Sequence, residues 1–303
     1  MADPKTHQAV PAIPAGGSGA PAEAGRPPLQ TPVMRQYQRA KRDYQDAILF
    51  FRLGDFYEMF GDDARTASKI LDLVLTKRQG TPMCGVPYHA STTYIARLLK
   101  EGHKVAICEQ VAGADTGEPG GSGRPEGKGL FRREVVRVIT PGTVVEEALL
   151  RDASNNFLAV VCPDGDRIGI ALADLSTGEF YAAAGRGETD LELILSGYRV
   201  GEAVLPLHGR GVDRLREWFD RRHISVNTLE SGPFLPERAR EILLAHFSQA
   251  MLEPLNLGEE PAMAGACGAL LAYLAKTGFA PAGGQTQPAF HRIARVTVED
   301  HLV

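Results

Sequence analysis

Two α/β domains in tandem are what the sequence predicts, and three observations carry that expectation. Short apolar runs of strand length alternate with longer segments of helical spacing, Gly- and Pro-rich breaks separate them, and 303 residues with 44% hydrophobic composition exceed one average domain. Residues 1–30 are rich in Pro, Ala and Gly without apolar periodicity, so they are expected to form a disordered tail. The run at 113–129 (GADTGEPGGSGRPEGKG) reads as a flexible surface loop inside the first domain. The boundaries that follow are a first domain over 31–145, a linker over 146–154, a second domain over 155–280 and the beginning of a further unit at 281–303.

In the first domain, 48–53 (ILFFRL) is a buried-strand pattern, and Gly54-Asp55 then punctuates it before a helical stretch running to about Leu71. A second helix is expected over 91–100 (STTYIARLLK), with Gly102 as the residue just past its end, leading into a strand at 104–109 (KVAICE). A last strand at 135–139 (VVRVI) stops at Pro141-Gly142. The second domain opens with strands at 157–162 and 168–176 around a Pro163-Asp164-Gly165-Asp166 turn, and a third strand at 179–184. Helices at 188–198, 212–221, 236–247 and 265–277 then interleave with strands at 203–207 and 224–229. Three strands followed by alternating helices and strands are compatible with a ribonuclease-H-like fold.

Several function classes recede on composition. No stretch approaches the ~18 to 20 apolar residues that span a bilayer, and the first residues lack the apolar core of a signal peptide, so the expected location is the cytoplasm. Cys84, Cys108, Cys162 and Cys267 are scattered singly and are expected to be reduced, mostly buried thiols. The net charge of −4 is unpromising for a nucleic-acid binder, yet it divides as 0, +2 and −6 over 1–30, 31–150 and 151–303. Any DNA contact is therefore expected in the first half.

The most informative segment is GDFYEMF at 54–60. On local physics it is a helix start: Asp55 as N-cap, Glu58 at N3, and Phe56, Met59 and Phe60 as an i, i+3, i+4 apolar stripe. Its context points elsewhere. TPVM at 31–34, GDFYEMF, LTKR at 75–78, GVPYHA at 85–90, AICEQ at 106–110 and TPGT at 140–143 occur in the order that resembles the mismatch-recognition domain of the bacterial MutS family. DLSTGEF at 174–180 and the helix around 266–276 resemble that family's connector domain more loosely.

The resemblance implies that Phe56 wedges into the base stack of mismatched DNA and that Glu58 hydrogen-bonds the mispaired base. An aromatic wedge costs unstacking energy of a few kcal/mol, least where pairing is already defective, so deformability selects the mismatch. A carboxylate beside phosphates needs a compensating base contact, so Glu58 is expected to supply discrimination rather than affinity. Lys77, Arg78, Arg132, Arg133 and Arg137 are the candidate backbone contacts. His89, without further ligands at metal spacing, is expected to be structural, with Tyr88-His89 locking the loop beneath the DNA surface. At Gln79-Gly80 and Cys84 the chain departs from the family pattern with a shorter, less polar loop.

The wider implications are partners and a cofactor outside this segment. The family pattern implies double-stranded DNA with mismatches or small loops, a MutL signal, and a homodimer for the full-length protein, with this portion alone expected to be monomeric. No G-x-x-x-x-G-K-[ST] loop occurs, so no cofactor is expected in these residues; ATP and Mg belong to an ATPase domain expected beyond Val303, after a core domain that begins at 281–303. Two alternatives stay open. Asp174 on a ribonuclease-H-like strand could hold a metal for phosphodiester cleavage. A non-DNA interaction adaptor would instead bury Phe56.

Overall fold

The computed structural model describes residues 31–114, 131–145, 155–278 and 290–301. The tail at 1–30, the linker at 146–154 and most of the Gly-rich run, 115–129, lie outside the described residues; Gly113 and Ala114 fall at the end of a strand. Two six-stranded sheets organise the rest into two α/β domains.

The first domain begins with α1 (Pro32–Asp43), which the sequence reading missed although Thr31 caps it through its hydroxyl and Pro32 fills a position where its missing N–H costs nothing. Then follow β1 (Ala47–Leu53), β2 (Phe56–Phe60), α2 (Gly61–Leu71), β3 (Thr76–Arg78), β4 (Thr81–Pro87), α3 (Ser91–Lys100), β5 (Lys104–Ala114) and β6 (Phe131–Ile139). The sheet order is β3-β4-β2-β1-β5-β6, antiparallel except for the β1–β5 pair. One face is covered by α2 and α3, whose Ala64, Ala67, Leu71, Ile95 and Leu98 pack on Phe50, Tyr57, Met59, Cys84 and Val86. On the other face α1 covers Leu49, Phe51, Ala106 and Cys108, with Tyr37 buried against Phe51 and Phe60 at ring separations of 5.5 and 5.0 Å. Asp63 pins this helix down, receiving Lys41 Nζ at 2.8 Å and the Leu49 N–H at 3.0 Å.

The segment 56–60 corrects the expected helix start. It is a strand, and the helix begins five residues later at Gly61. Leu53 pairs with Phe56 and Phe51 with Glu58 across a two-residue turn whose first residue, Gly54, has φ +59°, the conformation that a type II′ hairpin asks of its first central residue. Apolar residues at 56, 57, 59 and 60 fit either template, and pairing with both β1 and β4 decides for the strand.

The second domain contains β7 (Phe157–Asp164), β8 (Arg167–Asp174), β9 (Glu179–Arg186), α4 (Gly187–Ser196), β10 (Val200–Pro206), α5 (Val212–Asp220), β11 (Ser225–Leu229), α6 (Pro236–His246), the short α7 (Gln249–Leu252), α8 (Pro261–Lys276) and β12 (Ala294–Arg295). The order β11-β10-β7-β8-β9-β12, with β7, β8 and β9 antiparallel and β10 and β11 parallel to β7, is the arrangement expected of a ribonuclease-H-like sheet. Helices cover both faces: α6 and α8 bury Leu158, Val160 and Phe180 on one side, and α4 and α5 bury Ala159, Ile170 and Leu205 on the other. The described part of 281–303 packs on this domain, with Phe290 at 5.1 Å from the Phe180 ring and β12 parallel to β9.

The domains meet at a buried carboxylate. Glu202 on β10 is fully buried and receives the Thr140 hydroxyl and the Gly142 N–H of the first domain at 2.5 and 2.7 Å, with Asn227 Nδ2 and the Tyr273 hydroxyl of the second at 2.5 Å each. The TPGT turn thus serves as a domain joint. Burial, followed by the neighbouring Glu202 charge, pushes the Tyr273 hydroxyl up, so it stays a donor.

Candidate nucleic-acid interface

A strand's period of two explains why Phe56 and Glu58 belong together. On a helix, residues two apart point to nearly opposite sides; on β2 they share a face, while Tyr57 and Met59 turn into the core. That face is the one α1 covers over β1, β5 and β6. At the Phe60 end of β2 Tyr37 of α1 still reaches it, with Met83 packed alongside; over Phe56 and Glu58, the rest of β4 and β3 it carries no helix: β3 is exposed throughout, and Gly85 and Pro87 are half-buried beside the buried Cys84 and Val86. Register places Pro87 beside Phe56, Gly85 beside Glu58 and Met83 beside Phe60.

Phe56 stands at the rim of this open half, 47% exposed in a hairpin whose other aromatic residues are buried. A phenyl ring exposed on that scale gains apolar burial when a ligand covers it. Glu58 is more sheltered, with only 16% of its side chain exposed, and Arg78 Nη1 reaches its Oε2 at 3.1 Å from β3. That pair spans the intervening strand over Gly85, where a β-carbon would stand 3.6 Å from Glu58 Cγ and 3.2 Å from Tyr57 O. A glycine there leaves the carboxylate room above the sheet.

The basic candidates divide. Lys77 and Arg78 are exposed on edge strand β3, with Arg78 on the Phe56 face and Lys77 on the reverse. The turn between β3 and β4 is only Gln79-Gly80, at φ +50° and +82°, the two positive values of a type I′ turn. Arg132 is exposed on β6 and pairs with Glu134. Arg133 is drawn into the structure, donating to Arg52 O at 2.7 Å, Gln36 Oε1 at 3.2 Å and Phe131 O at 3.0 Å, with its guanidinium 5.4 Å from the Phe51 ring centroid. Arg137 is buried and donates to Thr143 O at 3.2 Å, so its guanidinium is placed to hold the TPGT turn and not to meet a phosphate.

Tyr88 and His89 are both exposed rather than buried beneath the surface. The locking expected of them is done by Tyr88: its N–H donates to Asp55 O at 3.0 Å, and its ring lies 3.6 Å below the Arg52 guanidinium carbon. Arg52 is the residue sequence reasoning missed here. Its only signal was position, two residues before the Gly-Asp turn.

The alternatives lose their footing on particular atoms. Asp174 is fully buried and its oxygens are taken up locally, by the Asn156 N–H at 2.8 Å and by the Ser176 N–H and hydroxyl at 2.9 and 2.6 Å. Among the described residues, no group of three or more His, Cys, Asp or Glu side chains could gather a metal ion. The adaptor alternative required a buried Phe56, which is exposed. All four cysteines are buried and unbridged; burial pushes the Cys84 thiol up to about 11 and those of Cys108, Cys162 and Cys267 up to about 12. Among the described residues no helix is long and apolar enough to cross a membrane.

Comparison with known proteins assigns both halves. Residues 31–148 match the family model described as MutS domain I, and 156–280 match that of MutS domain II. The chain is 44% identical over 256 residues to a DNA mismatch repair protein MutS of Syntrophomonas wolfei and 45% identical over 253 residues to that of Myxococcus xanthus, covering 82% of this chain in each case. A protein of the same name from Halothermothrix orenii is 53% identical over 156 residues. The chain spans 29% and 27% of the length of the first two relatives.

Proposed function

Because the chain belongs to the MutS family, we propose that it binds duplex DNA through the open half of its first sheet and tests it for mispaired bases. The observation that carries this reading is the placement of Phe56 and Glu58 side by side on the bare part of that face, with Phe56 47% exposed. Phe56 enters a base step as a wedge. The unstacking costs a few kcal/mol and is smallest at a mismatch or small loop, where stacking and pairing are already weak, so those sites are selected by deformability.

Glu58 supplies the second criterion. Its carboxylate is turned from Arg78 towards the edge of the displaced base, where a hydrogen bond, aided by protonation of one partner, offsets the repulsion from phosphates. Arg78, released, becomes a backbone contact that fixes register without reading sequence; Lys77, on the reverse of β3, and Arg132, on the opposite edge strand β6, are exposed but lie off that half-face. Arg133 and Arg137 stay out of this set because their guanidinium groups hold backbone carbonyls.

The second domain links the reader to the rest of a larger cytoplasmic protein. Its fully covered sheet and the Glu202 joint give the first domain a firm mounting. ATP and Mg binding, dimerisation and the signal to MutL fall to other segments or to the whole assembly, and these two domains are not themselves catalytic.

Phe56→Ala is the direct test. Stacking of an aromatic side chain on a base contributes ~1 to 3 kcal/mol, so competition binding with matched and mismatched oligonucleotides should show the mismatch preference collapsing while the fold survives. An unchanged ratio would overturn the wedge assignment.

A further inference from the structure

The turn that presents Phe56 has little to hold it in its own sequence. Gly54 is left-handed, with nothing within 4 Å of where its β-carbon would stand. The restraint comes from a neighbour on the opposite face. Arg52 lies across from Tyr57, on the side away from Phe56, and its guanidinium makes three contacts at once. Nε donates to Gly54 O at 2.5 Å, the guanidinium carbon stacks 3.6 Å from the Tyr88 ring centroid, and Nη1 lies 3.7 Å from Glu109 Oε1. Glu109 is itself held by the Tyr57 hydroxyl. Both turn carbonyls are therefore occupied, Gly54 O by the Arg52 side chain and Asp55 O by the Tyr88 N–H at 3.0 Å.

We infer that Arg52 is a positioning residue for mismatch discrimination, clamping the Gly54-Asp55 turn between its guanidinium and Tyr88 so that Phe56 meets the base step already ordered. The inference rests on the DNA-reading function proposed above. Its physical basis is preorganisation: a tip that is mobile in the free protein must be immobilised on insertion, and that cost falls on the one contact that separates mismatched from matched duplex. Matched duplex, held through phosphates, does not pay it.

Lysine at this position keeps the charge opposite Glu109 but has neither the planar face that stacks on Tyr88 nor the Nε–H that reaches Gly54 O. Arg52→Lys is therefore expected to lower the mismatched-to-matched affinity ratio by ~3- to 10-fold, with matched-duplex affinity within ~2-fold of the parent, as loss of preorganisation predicts. Tyr88→Ala should reproduce the loss and Tyr88→Phe, which retains the ring, should not. In the free chain, amide hydrogen exchange across residues 54–57 should quicken in Arg52→Lys while the thermal midpoint stays put. The ratio is measured by competition titration of the 303-residue chain at low ionic strength, where phosphate contacts are least screened. A parental ratio in Arg52→Lys overturns the inference, as does an equal loss on both duplexes, which would make Arg52 a plain phosphate contact. Phe56→Ala measured alongside separates the two levels: if it leaves the ratio intact the DNA-reading function itself fails, whereas a collapse there with a parental Arg52→Lys ratio removes only the clamp.

Discussion

The two sheets of this chain are finished differently. The second is sandwiched, with α6 and α8 on one face and α4 and α5 on the other, and its strands read as near-continuous apolar runs. The first is sandwiched over β1, β5, β6 and the Phe60 end of β2; over the Phe56–Glu58 end of β2 and over β3 one face has no helix on it. A covered sheet spends its side chains on packing, whereas an uncovered half-face leaves them available for a ligand. The contrast can be followed residue by residue. Phe219 and Phe56 are both in regular elements, a helix and a strand, one fully buried and one half-exposed. Asp174 and Glu58 are both strand carboxylates, one enclosed by local donors and one held by a single cation that solvent also reaches.

The largest effect expected from this contrast is on stability. Phe219→Ala removes a buried ring and should cost about 3–5 kcal/mol, while Phe56→Ala should stay within about 0.5 kcal/mol of the parent. Urea denaturation of both variants measures the difference; a comparable loss in Phe56→Ala would mean that its ring is structural after all.

Glu202→Gln sits at the seam between the regions. The glutamine NH2 group would face donors that the carboxylate now satisfies, from Thr140 and Gly142 on one side or Asn227 and Tyr273 on the other. A loss of about 1–3 kcal/mol follows from leaving buried donors unmet. If the joint couples the domains, amide exchange in β6 and in β10 should rise together; a rise in β10 alone would show that the TPGT turn does not depend on it.

Glu58→Ala should act on binding rather than folding. Removing a negative charge near phosphates compensates homoduplex affinity while the base contact is lost, so discrimination should fall by a few-fold and matched duplex should bind at least as tightly. Salt-matched titrations on both duplexes decide it, and a uniform loss on both would count against a base contact. The smallest effect belongs to Arg78→Gln. An exposed ion pair contributes roughly 0–1 kcal/mol, so the fold should barely respond, while the slope of log affinity against log salt should become shallower by ~0.9 if Arg78 meets one phosphate. An unchanged slope would confine Arg78 to holding Glu58.

The second domain was legible almost element by element, because its strands are bounded by turn residues and its helices by length and spacing. The Gly165-Asp166 turn between β7 and β8, the Phe157–Asp164 strand and the helices at Val212–Asp220 and Pro236–His246 lie within a residue or two of where periodicity puts them. The helix Ser91–Lys100, with Gly102 left-handed beyond it, was equally plain. Order of motifs identified the family without any coordinates.

What the sequence could not decide is the part that matters for the site. At 56–60 the local pattern satisfies a helix stripe and a strand alternation alike, and only the pairing partners β1 and β4, distant in sequence on one side, choose between them. That choice places Phe56 and Glu58 on one face. It also sorts the basic residues: Arg78, Arg132, Arg133 and Arg137 look alike as letters, yet tertiary packing leaves the first two at the surface and commits the last two to backbone carbonyls. Glu202 carries no local signal, and Arg52 only its place two residues before a turn, for the same reason. Their roles come from groups 36 to 71 residues away, Tyr88 for the one and Thr140 and Tyr273 for the other, and a side chain's partners at that range are set by sheet topology, which no window of neighbouring residues encodes.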